Sequence, residues 1–138
     1  MKDIIVDNGR TITAQELASV FARSGIPRRT GDMALMQKMA DTADLLITAW
    51  DGELLVGVAR SLTDFCAMCY LADLAVDREY QKQGIGDRLV AKTRESIGNI
   101  HLLLLAVPSA MTYYPKIGLA PAGNAFIIKR VEEATSNV

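Results

Sequence analysis

Apolar positions gather first at Ile4-Ile5-Val6, a run the length of a short strand. A stretch that is polar but for Ile12 leads to Thr13-Ala14-Gln15-Glu16. That spacing matches a capping box, in which the threonine side chain and the glutamate carboxylate each accept an N–H at a helix start. Leu17, Phe21 and Ser24 continue at helical spacing, and Gly25 with Pro27 closes the helix. Thr30 or Asp32 can cap a second helix, with Met33, Met36, Met39 and Ala40 as its apolar side.

The period then changes. Leu45 to Trp50 reads as a strand, and Asp51-Gly52 is a hairpin signal because glycine supplies positive φ at little steric cost. Glu53 to Leu62 reads as the returning strand, and Cys66 to Val76 continues the meander, giving three antiparallel strands in sequence. A polar stretch, Asp77 to Gln83, leads through Gly84-Ile85-Gly86 into a helix with Ile85, Leu89, Val90, Thr93 and Ile97 on one side. Ile100 to Val107 contains four consecutive leucines, a pattern suited to a strand buried on both faces and paired in parallel. Strand, helix, strand from Leu71 to Val107 predicts a right-handed crossover. Pro108 begins another turn or helix, Tyr113-Tyr114-Pro115 follows, and Gly118 stops it. Ala125 to Ile128 reads as a final strand. Residues 1–131 are expected to form a single domain, and Glu132 to Val138 a frayed tail.

Composition changes this picture little. The chain has 138 residues, of which 50% are apolar and 22% charged, enough for a core in one domain. The net charge of −1 gives no support to a nucleic-acid or anionic-membrane partner. No run approaches the ~18 apolar residues of a membrane span, and acids flank Ile4-Ile5-Val6, unlike a signal peptide. The expected address is the cytoplasm. Cys66 and Cys69 make a lone C-x-x-C. With His101 as the sole histidine and no second cysteine pair, neither a zinc site nor any other metal is expected, and both cysteines read as buried structural residues.

Gln81 to Gly86 carries the chemistry. A strand-to-helix junction presents unpaired N–H groups and a partial positive charge, and two glycines let the backbone converge on a phosphate or pyrophosphate. Lys82 and Arg88 are positioned to add charge. The same glycines also suit a plain tight turn. Position 89 is Leu, so the dinucleotide fingerprint is incomplete, and Gly86 precedes Asp87-Arg88 rather than the Lys-Ser/Thr of a P-loop.

Leu74 to Leu89, with Gln81-Lys82-Gln83-Gly84-Ile85-Gly86 at its centre, resembles the R/Q-x-x-G-x-G/A motif of the GCN5-related N-acetyltransferases, the GNAT family. Ala110-Met111-Thr112-Tyr113-Tyr114-Pro115-Lys116-Ile117-Gly118-Leu119 resembles that family's second signature. The separation and order of the two match as well. The resemblance implies an α+β fold with a central mixed, mostly antiparallel sheet of six to seven strands, splayed between the fourth and fifth, and about four helices. It implies acetyl-CoA as co-substrate, with the pyrophosphate on N–H groups of Gln81, Lys82, Gln83, Gly84, Ile85 and Gly86, and Asp87 beside them. Pantetheine would run along Leu74, Ala75 and Val76 by β-augmentation. The Leu74 N–H would polarise the thioester carbonyl.

The implied reaction is direct attack by a primary amine on the thioester. Tyr114 stands where family members keep the general acid for the leaving thiolate, although a core aromatic with a satisfied hydroxyl also suits it. The chain departs from the family at Ala72, where many members carry a glutamate base. Asp73 is then a candidate base or a structural carboxylate. Val107 replaces a cofactor-contacting asparagine, a loss that Ser109 partly covers. Pro115 is expected to shorten the last helix. Arg60 is suited either to a substrate carboxylate or to a salt bridge, and Asp64 is a further substrate-side candidate. Trp50, Phe21, Phe65 and the Met33/Met36 stripe suit either the acceptor wall or the core. The acceptor is expected to be a small amine. A protein lysine or N-terminus is the alternative, as is a non-catalytic acetyl-CoA sensor. The resemblance also admits a homodimer.

Overall fold

The computed structural model describes residues 3–131, and the expected tail lies outside the described residues. Five strands form one sheet in the order β1-β2-β3-β4-β5: Ile4–Asn8, Leu45–Asp51, Leu54–Thr63, Met68–Val76 and His101–Leu104. The first four are antiparallel neighbours, and β5 runs parallel to β4. Helices α1 (Ala14–Ser24), α2 (Met33–Thr42), α3 (Ile85–Ile97) and α4 (Tyr113–Lys116) complete the chain, with short 3-10 turns at Arg78–Tyr80 and Pro108–Ala110. No helix among the described residues is long and apolar enough to cross a membrane.

Alternating apolar residues divide the core between the sheet's two faces. Ile47, Val56, Leu71, Leu89 and Ile97 pack on the α3 side, and Leu17, Phe21, Met36, Trp50 and Val58 on the α1–α2 side. Two bulges punctuate the sheet. Between β3 and β4, Arg60 pairs with Asp73 but Ser61 pairs with Leu71, so Ala72 is an extra residue on β4. It turns Asp73 and Ala75 towards the α1–α2 face, while Leu71 and Leu74 both pack on the α3 side.

The capping box forms as its spacing requires: Glu16 N–H donates to Thr13 Oγ1 and Thr13 N–H to Glu16 Oε1. Asp32 caps α2 by accepting from Leu35 N–H. Helix α4 is four residues long and contains Pro115.

The sheet has five strands among the described residues, not the expected six to seven. Ala125 to Ile128 does not join it, and Phe126 and Ile128 are 97% and 99% exposed. Consequently β5 is an edge of four residues. Its leucines are half-buried rather than covered on both faces, and Leu105 is 52% exposed. The expected burial of both cysteines also divides: Cys69 is buried in β4, whereas Cys66 is exposed in the turn before it.

Candidate active site

Strands β4 and β5 pair only from Met68 to Leu71 and from His101 to Leu104. Beyond Leu71, β4 keeps its β3 partner but has none on the other side among the described residues, which opens a cleft along residues 72–76. Asp77 N–H bonds the Val56 carbonyl on β3. Because N–H directions alternate along a strand, those of Leu74 and Val76 face the open side.

The glycine loop sits at the end of that edge. Gln81 spans it by donating from Nε2 to the Val76 carbonyl at 2.8 Å. Asp77 is buried, takes Arg23 Nε at 2.7 Å and accepts from Glu79 N–H, which fixes the entry to the loop. Lys82 and Gly84 both hold positive φ, 65° and 81°, in alternation with their neighbours. Such alternation turns successive N–H groups into one concavity. No side chain caps α3, unlike α1 and α2, so the first-turn N–H groups at Ile85, Gly86 and Asp87 keep their donors. These orphaned donors, the αL residues and the unpaired β4 edge suit an extended ligand with a pyrophosphate at one end. Lys82 is exposed at the rim, whereas Arg88 is engaged elsewhere, donating to the Ile4 carbonyl at 2.8 Å.

Tyr113 and Tyr114 lie edge to face, 5.1 Å between ring centres. The Tyr113 hydroxyl donates to Asp87 Oδ1 at 2.6 Å and lies against Gly86, where an added Cβ would come within 2.7 Å of it. Glycine at 86 therefore makes room for a tyrosine as much as for an anion. Burial, then the Asp87 bond, pushes the Tyr113 phenol far up. Burial also raises that of Tyr114, whose hydroxyl has no partner among the described residues. Ser109 is exposed in the 3-10 turn after β5.

The carboxylates weighed as site residues are both engaged. Asp73 is 2% exposed. Its Oδ2 accepts Arg60 Nε at 2.5 Å, and its Oδ1 accepts Arg28 Nε at 2.7 Å. Arg28 also reaches the carbonyl of Ala72, the bulge residue, at 3.3 Å. Asp64, exposed in the β3–β4 turn, accepts N–H groups of Cys66, Ala67 and Met68 and is held well below the usual carboxylate range. Phe21, Trp50 and Met36 lie in the core, whereas Phe65 and Met33 are exposed. No group of three or more metal-ligating side chains occurs among the described residues.

Sequence reasoning missed Arg28 and the Tyr113–Asp87 bond. The Pro27-Arg28-Arg29 run, between two predicted helices that pack on the sheet, is the signal that could have raised Arg28.

The sequence matches the acetyltransferase (GNAT) domain family over residues 11–132. No curated protein matches it. Among solved structures, the chain is similar to protein SA2161 of unknown function from meticillin-resistant Staphylococcus aureus. The identity is 20% and the TM-score 0.81, covering 95% of this chain and 100% of that one. It is also similar to SP0256, a GNAT-family acetyltransferase of Streptococcus pneumoniae TIGR4, with 18% identity, TM-score 0.71 and coverages of 93% and 100%. A third is the aminoglycoside acetyltransferase meta-AAC0020 from an uncultured soil metagenomic sample, in complex with sisomicin. There the identity is 16% and the TM-score 0.69, over 94% and 97% of the two chains. At these identities the likeness is one of fold.

Proposed function

The chain belongs to the acetyltransferase (GNAT) domain family, and from that premise we propose that it is an N-acetyltransferase moving the acetyl group of acetyl-CoA to a primary amine of a small molecule in the cytoplasm. The observation that carries this reading is the uncapped N-terminus of α3 beside the unpaired edge of β4. Donors without partners at both places match a ligand that is anionic at one end and amide-like along its length.

Acetyl-CoA supplies an acetyl group activated as a thioester. In this proposal the N–H groups of Gln81, Lys82, Gln83, Gly84, Ile85 and Gly86 hold the pyrophosphate, with Asp87 and Ser109 beside the cofactor. Leu74 and Val76 offer N–H groups, and Ala75 a carbonyl, to the pantetheine. Leu74 N–H also polarises the thioester carbonyl.

Tyr114 acts as general acid. Its raised pKa keeps the phenol protonated at neutral pH, and its hydroxyl has no competing acceptor among the described residues. The Tyr113 hydroxyl is committed to Asp87. Both oxygens of Asp73 hold arginines and Asp64 is held by its turn, so the proton of the attacking ammonium passes to water.

A thiol-release assay with acetyl-CoA across small amines tests this directly. Turnover is expected with at least one amine, and Tyr114→Phe is expected to lower kcat roughly 100-fold. Thermal stabilisation by acetyl-CoA is expected to vanish in Gly84→Glu, which puts a negative charge in the pyrophosphate cradle. Stabilisation without release on any amine or peptide supports a non-catalytic sensor instead, a reading favoured by Ala72 at the usual glutamate position. Release with peptides alone supports a protein acceptor.

A further inference from the structure

Arg28, Arg60 and Asp73 form a cluster that the proposed chemistry leaves unused. It holds two guanidinium groups on one carboxylate, a surplus of one positive charge. The side chains are 20%, 11% and 1% exposed. A buried surplus charge is costly unless a counter-charge or several acceptors meet it. Asp32, the acid nearest Arg28 along the chain, caps α2 with Oδ1 and does not neutralise the cluster.

The donors of the two arginines are not equally used. Arg28 gives Nε and Nη2 to Asp73, Nη2 also to the Ala72 carbonyl, and Nη1 to the Pro27 carbonyl. Arg60 gives only Nε. Its two terminal nitrogens have no partner among the described residues, on a side chain that is nearly buried. Asp73 fixes the plane of that guanidinium, leaving a preformed two-donor fork that a planar oxyanion fits in bidentate fashion. Arg29, next in the same loop, has a buried Nε with no hydrogen-bond partner among the described residues.

The place of the cluster matters as much as its charge. Asp73 directly precedes Leu74, and Arg28 caps the bulge carbonyl of Ala72, so the cluster flanks the point where β4 loses β5. Its side chains lie on the α1–α2 face, and Arg28 belongs to the α1–α2 loop.

We infer that the acceptor is an amine carrying a carboxylate, which the terminal nitrogens of Arg60 bind while its amine reaches the cleft at Leu74. This rests on the acetyl-transfer reading and names the substrate class for it. Arg28 and Asp73 are positioning residues here, since they hold Arg60 and the loop rather than the ligand. The amine attacks with its nitrogen lone pair and the carboxylate stays unchanged, so nothing is added to the balance of acetyl transfer.

Calorimetric titration without acetyl-CoA, using β-alanine against ethylamine, lysine against cadaverine and tyrosine against tyramine, tests the site apart from turnover. At least one amino acid is expected to bind roughly tenfold or more tighter than its decarboxylated partner. Arg60→Lys keeps a cation for Asp73 but loses the fork, and it is expected to erase most of that preference while melting as a folded protein. Equal binding within every pair, no binding of any amino acid at millimolar concentration, or a preference that survives Arg60→Lys overturns the inference. The same pairs in the thiol-release assay separate it from the reaction. Release without an amino-acid preference leaves acetyl transfer standing and sinks the carboxylate site. A binding preference without release does the reverse.

Discussion

Asp64 shows how one residue's role depends on partners that its identity does not reveal. In the chain it is an acid at the end of a strand, open to a substrate-side role. In the fold its carboxylate collects the N–H groups of Ala67, Cys66 and Met68, which hold it far below its ordinary pKa. Phe65 beside it takes φ of 59°, the left-handed conformation this turn requires. The same carboxylate raises the pKa of the exposed Cys66 thiol, which keeps that thiol protonated and slow to react. A lowered folded pKa means that the native state prefers the ionised form. Its stabilisation is full above the ordinary value near 3.8 and fades as pH falls below that. Asp64→Asn is therefore expected to melt below wild type by a constant margin from pH 7 to pH 5. The margin should narrow at pH 3, where the unfolded wild-type chain takes up a proton that the native carboxylate, with its lowered pKa, still refuses. Melting curves at the three pH values check this, and a margin that widens with acid contradicts it.

Among elements, helix starts were the most legible because caps are written in local sequence. Thr13 with Glu16, and Asp32, open α1 and α2 where spacing placed them, and Gly84 opens α3 without a cap. The bulge at Ala72 was not legible, since a one-residue slip leaves no mark in an apolar run. Yet it decides that Asp73 meets Arg60 and Arg28 on the α1–α2 face. Nor did spacing reveal that α3 and α4 are tied at their starts by Tyr113 and Asp87. Gly86→Ala tests that tie, because its Cβ would press on the Tyr113 hydroxyl at 2.7 Å. The pressing atom is the tip of a side chain that can swing aside, and alanine favours the helix, so the expected loss is at most about 1 kcal/mol, the worth of the Tyr113–Asp87 bond. Tyr113→Phe removes the pressing atom along with its bond to Asp87. The double variant is expected to be more stable than the sum of the single losses allows, a coupling that denaturant titrations of all four proteins measure. Strict additivity would mean that Gly86 is required for something other than Tyr113.

At the scale of the molecule, run-based reading reached the order of elements and the parallel pairing of β4 with β5, but not the end of the sheet. Leu102 to Leu105 is apolar enough for a strand covered on both sides, and Ala125 to Ile128 is apolar enough to be the cover. Composition alone does not dictate that the two meet, and in this fold they do not pair. Phe21 and Phe126 then make a contrast within one residue type, fully buried against 97% exposed. Phe21→Ala deletes a ring from the core between α1 and the sheet and is expected to cost about 3–5 kcal/mol. Phe126→Ser and Ile128→Ser remove apolar surface that is already in water, so each is expected to stay within about 0.5 kcal/mol of wild type. Chemical denaturation of each variant at low and high protein concentration checks both halves. A Phe126→Ser loss approaching that of Phe21→Ala would mean that this segment is covered in solution. Dependence of that loss on protein concentration would identify the cover as a second copy of the chain, and independence would identify it as the chain itself.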